Sequence, residues 1–369
     1  MSPSKRVNDV TDDATLDTEL IHSQGLCTFH GPLTELIHSD RAIPSTEAAN
    51  DLNKAQFMET LSGRFKPAQT EYYVTAVAFS SNGNLQASAG WDSSITIRDT
   101  HTGKKLHILK GHQNRVNVLS FSPDNQVLVS SGQDRKLIFW ELSSGRPMRV
   151  FHNLQTIVTA IAFSPDGRYM ATGERDGNLK LWLPKITVAG YDQHARPCLE
   201  CDPEVLYTLS YHHAEISVIA FSPDNYTFAV GSQDRTISIW PLKSRIKFFL
   251  SKLFKGNKPL QVFYWHLNTV TALGFHPDGD TLASGGEDQV VKLFRLSTGE
   301  LLRTVRKHKA PIVSVHFTRD NEDLTQEHDS NLVIGSRDGT VSIWNPVSGQ
   351  CLGSLQSNAY RLAAILIAA

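Results

Sequence analysis

The chain has 369 residues, nearly equal numbers of basic and acidic side chains (36 and 37), and a formal net charge of −1. This balance gives no global electrostatic reason to expect nucleic acid as a partner. The four cysteines are too few for a disulfide framework, and no apolar run reaches the ~20 residues of a membrane-spanning helix. The polar amino terminus also lacks the apolar core of a signal peptide. We therefore expect a reducing, intracellular compartment, the cytoplasm, with the nucleus not excluded.

The amino-terminal part of the chain falls into segments of different character. Residues 1–17 are polar and acidic, which predicts a disordered tail, and residues 18–369 are predicted to form a single domain. Thr18–Pro32 can be aligned with Leu332–Pro346, which favours a strand, a turn and a strand. The alternative is an ordinary amino-terminal arm. Leu33–Phe57 is then a long connection.

The stretch Lys110–Leu142 shows the unit from which the rest of the chain is built. Its alternating apolar residues and its turn residues predict three short strands, at 116–121, Val127–Ser131 and Lys136–Glu141. Three strands joined by tight turns form a meander, which leaves both faces of its sheet exposed to water when it stands alone. Such a unit needs neighbours of its own kind.

The same unit recurs along the chain at fixed offsets. Each first strand ends in a phenylalanine with an apolar residue five positions before it, and an aspartate follows 13 residues after five of the six phenylalanines. The phenylalanines are Phe79, Phe121, Phe163, Phe221, Phe275 and Phe317. The aspartates are Asp92, Asp134, Asp176, Asp234, Asp288 and, eight residues late after a lengthened turn, Asp338. Six residues later come Arg98, Trp140, Trp182, Trp240, Phe294 and Trp344. Such spacing indicates a repeat protein.

These residues resemble the WD-repeat β-propeller family, whose repeats of about 40–45 residues have Gly-His near the start and Trp-Asp near the end. The resemblance covers residues 58–367, although no repeat ends in a literal Trp-Asp. It implies an all-β fold, a seven-bladed β-propeller with six full WD-type repeats. Two insertions would interrupt it, at 184–204 and 243–260.

The resemblance also predicts a fourth strand for each blade and a way to close the ring. The fourth strands are predicted at Leu106–Leu109, Pro147–Phe151, Val205–Leu209, Leu260–Tyr264, Leu301–Val305 and Cys351–Leu355. Leu362, Ile365 and Ile367 repeat the first-strand spacing just before the sequence stops. We expect Tyr360–Ile367 to complete a seventh blade with Thr18–His30 and Phe57–Leu61, so that both chain ends close the ring. The competing picture is a truncated seventh repeat.

One repeat contains residues that resemble the catalytic set of a serine hydrolase, His112, Ser130 and Asp134. The family resemblance implies a structural role instead, in which these three residues and Trp140 form a hydrogen-bonded network inside the blade. Only this repeat keeps all four residue types at the same offsets. Elsewhere we expect the network to be broken, because repeats four and six have Val230 and Ile334 at the serine position and repeat five has Phe294 in place of the tryptophan.

The two insertions contain the remaining candidates for binding. Cys198 and Cys201 form a lone CxxC with His194 upstream, for which we expect free thiols in a mobile loop rather than zinc, and no metal or cofactor. Lys243–Gln261 has basic residues and helically spaced apolar ones, which predicts a short basic amphipathic helix. Its notable side chains are Lys243, Arg245, Lys247, Phe248, Phe249, Lys252, Phe254 and Lys255. It would pack on the propeller rim, dock into a protein partner or lie on an anionic membrane.

A propeller does not by itself state a function. The resemblance implies a non-catalytic scaffold, not an enzyme, that binds a protein or peptide on one rim, within a multi-protein complex. The partner-binding positions carried over from the family are Tyr73, Trp91, Arg115, Gln133, Ile157, Arg175, Glu215, Gln233, Thr269, Glu287 and Arg337. The alternative function is a peripheral membrane or lipid-binding propeller that acts through residues 243–258.

Overall fold

The computed structural model describes residues 74–191, 197–242, 258–318 and 330–356. Within these ranges the chain forms strands, turns and loops, and no helix. Several predictions fall on other residues and so lie outside the described part. These are the tail at 1–17, the segments Thr18–His30, Phe57–Leu61 and Tyr360–Ile367, the predicted helix up to residue 257, and most of the lengthened turn that precedes Asp338.

Six four-stranded antiparallel sheets, here called blades 1 to 6 in chain order, make up the described part. Blade 1 consists of β1 (Val74–Phe79), β2 (Leu85–Gly90), β3 (Ser94–Asp99) and β4 (Lys105–Lys110). Blade 2 consists of β5 (Val116–Phe121), β6 (Val127–Gly132), β7 (Leu137–Glu141) and β8 (Arg146–Phe151). Blade 3 consists of β9 (Val158–Phe163), β10 (Met170–Glu174), β11 (Asn178–Leu183) and β14 (Glu204–Ser210), with β12 (Ile186–Tyr191) and β13 (Pro197–Cys201) inserted as a hairpin.

The remaining three blades have the same plan. Blade 4 consists of β15 (Ile216–Phe221), β16 (Thr227–Ser232), β17 (Ile237–Pro241) and β18 (Gln261–Phe263). Blade 5 consists of β19 (Val270–Phe275), β20 (Thr281–Gly286), β21 (Val291–Arg295) and β22 (Leu301–Val305). Blade 6 consists of β23 (Ile312–Phe317), β24 (Leu332–Ser336), β25 (Thr340–Trp344) and β26 (Cys351–Gln356).

The first strands of consecutive blades lie side by side, in the order β1, β5, β9, β15, β19 and β23. Because each blade continues outward from its first strand, the blades are arranged as in a β-propeller, and the predicted all-β propeller fold is confirmed. The six predicted fourth strands are all present. The seventh blade would be built from residues outside the described part and stays a prediction.

The turn after each first strand shows why the strands are short. In blade 2 the hydroxyl of Ser122 accepts a hydrogen bond from the amide of Val127 at 3.0 Å, which ties the two ends of the turn together. Asn125 has a φ of 58°, a left-handed conformation that asparagine and glycine tolerate best. The hydrogen bond from the Val127 amide is thus made within the turn, and the first strand ends before it.

Each interior blade is apolar on both faces because it is stacked between two others. Leu119, Phe121 and Trp140 of blade 2 belong to the apolar core that blade 2 shares with blade 1. Val129 and Phe139 point to the other face, into the core shared with blade 3, and both are 0% exposed. The strands therefore read as continuous apolar runs rather than alternating ones.

A β-bulge interrupts the pairing of the first two strands at the same place in every blade, after the first residue of the first strand. The bulged residue carries a hydroxyl in four blades, and this hydroxyl donates to a main-chain carbonyl of the next blade's first strand. We call these residues the bridging hydroxyls: Thr75, Thr159, Ser217 and Thr271. The bond from Thr159 to the carbonyl of Ile216, for example, is 2.6 Å long. The bulges thus aim four side chains across blade boundaries.

The boundary between blades 2 and 3 is built differently. Asn117 occupies the bulge of blade 2, and its Oδ1 accepts a hydrogen bond from Nε of Arg115 at 3.1 Å. Its Nδ2 is buried and has no hydrogen-bond partner. This boundary therefore lacks a bridging hydroxyl.

The β12–β13 hairpin contacts both blades at this boundary. It belongs to blade 3, yet the amide of Leu199 donates to Oε1 of Glu141 in blade 2 at 3.2 Å. Ile186, Leu199 and Cys201 contribute to the core between these two blades. The expectation of thiols in a mobile loop is therefore wrong for Cys201, which is 8% exposed and lies in a strand, because apolar residues of the insertion pack on the propeller.

Candidate functional site

The predicted network of blade 2 is formed by residues from three separate segments. His112 lies in the connection from blade 1, with Nδ1 3.0 Å from Oδ1 of Asp134 and Nε2 2.8 Å from Oγ of Ser130. Trp140 of β7 donates its indole N–H to the same Ser130 hydroxyl at 2.8 Å. Side-chain hydrogen bonds therefore link Asp134, His112, Ser130 and Trp140 in that order, from the surface turn of the blade to its core.

Asp134 holds the turn and the connection together. Burial alone would raise the pKa of Asp134, but hydrogen bonds from His112 and from the amide of Gln113 outweigh it and lower the pKa. The Gln113 amide lies 2.9 Å from Oδ2 of Asp134. Asp134 is thus a charged acceptor that fixes the chain where it enters the blade.

Blades 4 and 6 form the same network, contrary to the expectation that it is broken there. In blade 4, Nε2 of His212 lies 2.7 Å from Oγ of Ser238, and Trp240 donates to the same hydroxyl at 2.7 Å. Ser238 lies on the third strand, directly opposite Val230 of the second. In blade 2 the pair is reversed, with Ser130 opposite Ile138. A hydroxyl on either member of this cross-strand pair reaches both rings, so the expectation was wrong.

Blade 6 repeats the arrangement of blade 4. Nε2 of His308 lies 2.7 Å from Oγ of Ser342, which also accepts the indole N–H of Trp344 at 2.8 Å. Ser342 lies opposite Ile334. Nδ1 of His308 lies 2.8 Å from Oγ1 of Thr340, and 3.7 Å from Oδ2 of Asp338.

Blades 3 and 5 contain reduced versions. In blade 3, Trp182 donates to Oγ1 of Thr172 at 2.9 Å, and an ion pair of 2.5 Å joins Nζ of Lys180 to Oε1 of Glu174. Burial raises the pKa of Glu174, and Lys180 opposes this shift. In blade 5, His266 lies between Asp288 and Ser284 as in blade 2, with Nε2 2.7 Å from the serine hydroxyl.

The burial of these serines decides what the network does chemically. Ser130, Ser238, Ser284 and Ser342 are each 0% exposed. A serine nucleophile must contact a substrate carbonyl beside oxyanion donors, and a hydroxyl enclosed between two rings and two strands does not meet that condition. The network therefore satisfies buried polar groups and stabilises the blade.

The described residues among the predicted partner-binding positions lie at the end of the blades that carries the turns between second and third strands, here called the upper face. Trp91 of blade 1 is 46% exposed, and the guanidinium carbon of Arg115 in blade 2 lies 5.1 Å from its ring centroid. An exposed tryptophan fixed by a stacked arginine combines the two residue types that most often anchor interfaces.

Two further pairs cross blade boundaries on the upper face. Nε of Arg175 in blade 3 lies 3.3 Å from Oε2 of Glu215 in blade 4. Glu287 in blade 5 acts electrostatically on Arg337 in blade 6, where burial lowers the pKa of the arginine and the glutamate opposes this. Nε of Arg337 is buried without a hydrogen-bond partner. On the upper face, charged side chains of neighbouring blades thus interact across two boundaries.

The remaining upper-face positions are placed by their main chains. The amides of Gln133 and Gln233 donate to the carbonyls of Arg115 and Glu215, each at 2.9 Å, and the amide of Glu287 donates to Thr269 at 2.9 Å. Each turn is thereby joined to the start of its own first strand. Tyr73 lies outside the described residues.

Sequence reasoning missed the bridging hydroxyls, although a signal was present. A threonine or serine follows the first apolar residue of the first strand in four of the six blades. It also missed the exposed apolar side chains of Tyr264 and Leu267, in the connection between blades 4 and 5.

Cys201 is the candidate of the first insertion whose surroundings the structure describes. Cys201 is a free thiol whose Sγ lies 3.4 Å from the carbonyl of Pro184, and burial raises its pKa to about 12. No group of three or more potential metal ligands occurs among the residues that the structure describes. That part also contains no helix long and apolar enough to cross a membrane. Lys243, Arg245, Lys247, Phe248, Phe249, Lys252, Phe254 and Lys255 lie outside it.

Comparison with protein families gives one match that spans most of the chain. The profile described as "WD domain, G-beta repeat" matches residues 59–99, 103–141, 145–182, 203–241, 257–295 and 299–345. The two longest gaps between these segments fall on the two insertions. The matches end close to the tryptophan or its equivalent in each repeat.

Several curated proteins are similar over part of the chain. Protein HIRA of Oryza sativa subsp. japonica is 29% identical over 154 residues, which cover 37% of this chain and 15% of that protein. COMPASS component SWD3 of Saccharomyces cerevisiae is 28% identical over 152 residues, covering 41% and 42%. Cleavage stimulation factor subunit 50 of Arabidopsis thaliana is 28% identical over 113 residues, covering 30% and 26%. The chain thus spans less than half the length of each of these relatives.

Proposed function

Because the chain belongs to the family of WD domain, G-beta repeat proteins, we propose that it is a non-catalytic scaffold that binds a protein or peptide on its upper face. The observation that carries the proposal is the Trp91–Arg115 stack. A large aromatic side chain that is 46% exposed, yet held by a neighbouring blade, provides contact area that loses little conformational freedom on binding.

The inter-blade pairs support the same surface. Arg175, Glu287 and Arg337 lie at equivalent turns, and Glu215 lies just before the first strand of blade 4. A segment bound on this face would meet charges of both signs, and Arg175 is held there by its ion pair with Glu215. Complementary charges set the register and the choice of partner more than the affinity. We therefore expect an extended segment with charged side chains that is anchored on Trp91.

Relatives named as parts of assemblies support a role within a multi-protein complex. One similar protein is named a COMPASS component and another a subunit of cleavage stimulation factor. We propose by analogy that this chain is also a complex subunit, and that it works in the cytoplasm. Fluorescence imaging of the tagged chain tests the location, and a purely nuclear signal would contradict that assignment.

The experiment that tests the proposed surface is quantitative affinity purification. Wild type is compared with a triple alanine variant of Trp91, Arg175 and Arg337, and with a matched triple variant of Lys104, Arg168 and Val347, which are exposed at the opposite end of the blades. Cross-linked partners should be lost only from the upper-face variant. Partners that cross-link solely around residues 184–204 and 243–260 would overturn the proposal.

A further inference from the structure

Asn117 lies at the bulge of the first strand, where four other blades carry a bridging hydroxyl. The bond of Thr159 runs to the carbonyl of Ile216, so the equivalent bond of blade 2 would run to the carbonyl of Val158. Asn117 is 1% exposed, and its Nδ2 has no hydrogen-bond partner among the described residues. A buried amide in this state costs free energy, so its presence in a blade core calls for a physical reason.

The amide of Asn117 is engaged with the upper face instead. Its Oδ1 accepts a hydrogen bond from Nε of Arg115 at 3.1 Å. The guanidinium carbon of Arg115 lies 5.1 Å from the ring centroid of Trp91 in blade 1. The main chain of Arg115 is held as well, because its carbonyl accepts the amide of Gln133 at 2.9 Å. Asn117 thus supplies a directional bond to the same guanidinium that stacks on the exposed indole.

The two roles of this position exclude each other. A hydroxyl on the β-carbon reaches the carbonyl of the next blade directly, as the 2.6 Å bond of Thr159 shows. The amide group of asparagine is planar, so the position of its Oδ1 also fixes the position of its Nδ2. With Oδ1 bonded to Arg115, Nδ2 meets no acceptor. Blade 2 therefore has a contact to Arg115 where four other blades have a bond across the boundary.

We propose that Asn117 is a positioning residue of the upper face, which holds Arg115 over Trp91 for contact with the partner and forgoes a bond between blades 2 and 3. Its part in binding rests on the proposed function, whereas the contacts among the three side chains do not. An arginine that is already ordered loses less side-chain freedom when a partner binds. A local loss of stability at a position that other blades use for packing is expected of a residue kept for function.

The substitution Asn117→Thr separates the two roles. Threonine occupies the same bulge in blades 1, 3 and 5, so the variant is compatible with the backbone at this position. It supplies a hydroxyl for the carbonyl of Val158 and removes the acceptor of Arg115. Asn117→Ala removes the acceptor without supplying a hydroxyl, and Asn117→Asp keeps an acceptor. Arg115→Ala is the reference for complete loss of the stack.

Fluorescence quenching by acrylamide measures the stack without any partner. All six tryptophans of the chain are described, and Trp91 is the most exposed of them. We expect Asn117→Thr and Asn117→Ala to increase the quenching by most of the amount that Arg115→Ala does, because the guanidinium then leaves the ring. Asn117→Asp should be quenched as wild type is. In a Trp91→Phe background these differences should vanish.

Stability separates the two variants that lose the acceptor. Asn117→Thr gains a bond across the boundary and should raise the melting temperature by about 1–2 °C, whereas Asn117→Ala should not raise it. Hydrogen exchange of the β9 amides should slow in Asn117→Thr alone. A purely structural asparagine predicts a change in stability without a change in the quenching of Trp91.

Partner binding completes the test. In the affinity purification described above, Asn117→Thr should lose the captured partner as Arg115→Ala does, despite its higher melting temperature, and Asn117→Asp should keep it. Unchanged quenching or an unraised melting temperature in Asn117→Thr would overturn the proposal, as would Asn117→Asp behaving like Asn117→Thr. A partner lost from Arg115→Ala but kept by Asn117→Thr would overturn it too. A partner kept by both variants and by the upper-face triple variant would count against the proposed function, and the quenching and stability results would then decide the role of Asn117.

Discussion

The indole of Trp240 donates its N–H to the hydroxyl of Ser238, which lies 2.7 Å away on the same strand. In blade 2 the equivalent hydroxyl, that of Ser130, comes from the neighbouring strand. The two arrangements place one hydroxyl group between the same two rings. The position of the hydroxyl in space is therefore what the blade requires, and its position in the sequence is free to alternate between two strands.

This equivalence predicts a rescue. Ser238→Ile removes the hydroxyl and leaves the buried His212 and Trp240 nitrogens without their partner, which should cost about 2–3 kcal/mol. Adding Val230→Ser recreates the pattern of blade 2, with serine opposite isoleucine, and should recover most of that loss. Denaturant unfolding of the single and double variants measures both effects. Equal stability of the two variants would contradict the interchange.

Trp140 tests the network in blade 2. Trp140→Ala removes a side chain that is 1% exposed and leaves Ser130 without one partner, so unfolding free energy should fall by about 3–5 kcal/mol. Ser130→Ala should leave any partner binding unchanged once the folded fraction is taken into account. An unaltered melting transition for Trp140→Ala, or an acyl-enzyme trapped on Ser130, would argue against a purely structural network.

His308 makes stability depend on pH. Burial lowers its pKa from 6.5, an effect that Asp338 opposes, so the unfolded chain takes up this proton at a higher pH than the folded protein does. Stability should therefore fall as the pH decreases through about 6.5. Denaturant unfolding at about pH 7.5 and 5.5 measures the loss. His308→Leu, with the residue that blade 3 carries as Leu154, should be less stable at both values but show a smaller pH-dependent difference.

Closure of the ring predicts a stability effect at the amino terminus. Val333 and Ile343 on the outward face of blade 6 are only half-buried, whereas the equivalent Val129 and Phe139 of blade 2 are 0% exposed. A seventh blade would cover that face. Deleting Met1–His30 should then lower the melting temperature of the whole domain, while deleting Met1–Asp13 should not. Equal melting temperatures for the two deletions would favour the truncated-repeat picture.

The basic insertion is predicted to be dispensable for folding. Replacing Lys243–Lys258 by a short Gly/Ser linker from Leu242 to Pro259 should leave a soluble propeller, since long excursions add little closure entropy. Aggregation of this variant would indicate that the segment packs on the blades. Flotation with anionic vesicles separates the membrane alternative, which predicts salt-sensitive binding that the deletion abolishes.

The sequence predicts the fold well because the fold repeats. The phenylalanine-to-aspartate offset places the first and second turns in five of the six blades, and the six predicted fourth strands are observed. The sequence is a poorer guide to side-chain hydrogen bonds that depend on which residue lies opposite on the neighbouring strand. Ser238 was overlooked because Val230 occupies the usual serine position, and the two residues become interchangeable only once their strands pair.

Two other features depend on tertiary packing. The insertion that contains Cys201 is polar enough to predict a loop, yet a few apolar side chains such as Leu199 suffice to fold it onto blade 2. The bulge in each first strand re-aims one side chain toward the next blade, which a strict alternation of strand faces does not predict. In both cases the deciding contacts join distant parts of the sequence.

The boundary between blades 2 and 3 involves both of these features, the bulge and the insertion. At four other boundaries a bridging hydroxyl joins the first strands of the two blades. These hydroxyls belong to Thr75, Thr159, Ser217 and Thr271. Asn117 leaves the boundary between blades 2 and 3 without such a bond. The β12–β13 hairpin joins the two blades at the outer side instead, through the hydrogen bond from the amide of Leu199 to the carboxylate of Glu141. Proteolytic cleavage or deletion of the hairpin would therefore weaken the contact between blades 2 and 3, while the bridging hydroxyls at the other boundaries stay in place. Of the five boundaries between the described blades, this is the one at which a peripheral hairpin takes the place of a bridging hydroxyl, at the end of the blades away from the proposed partner.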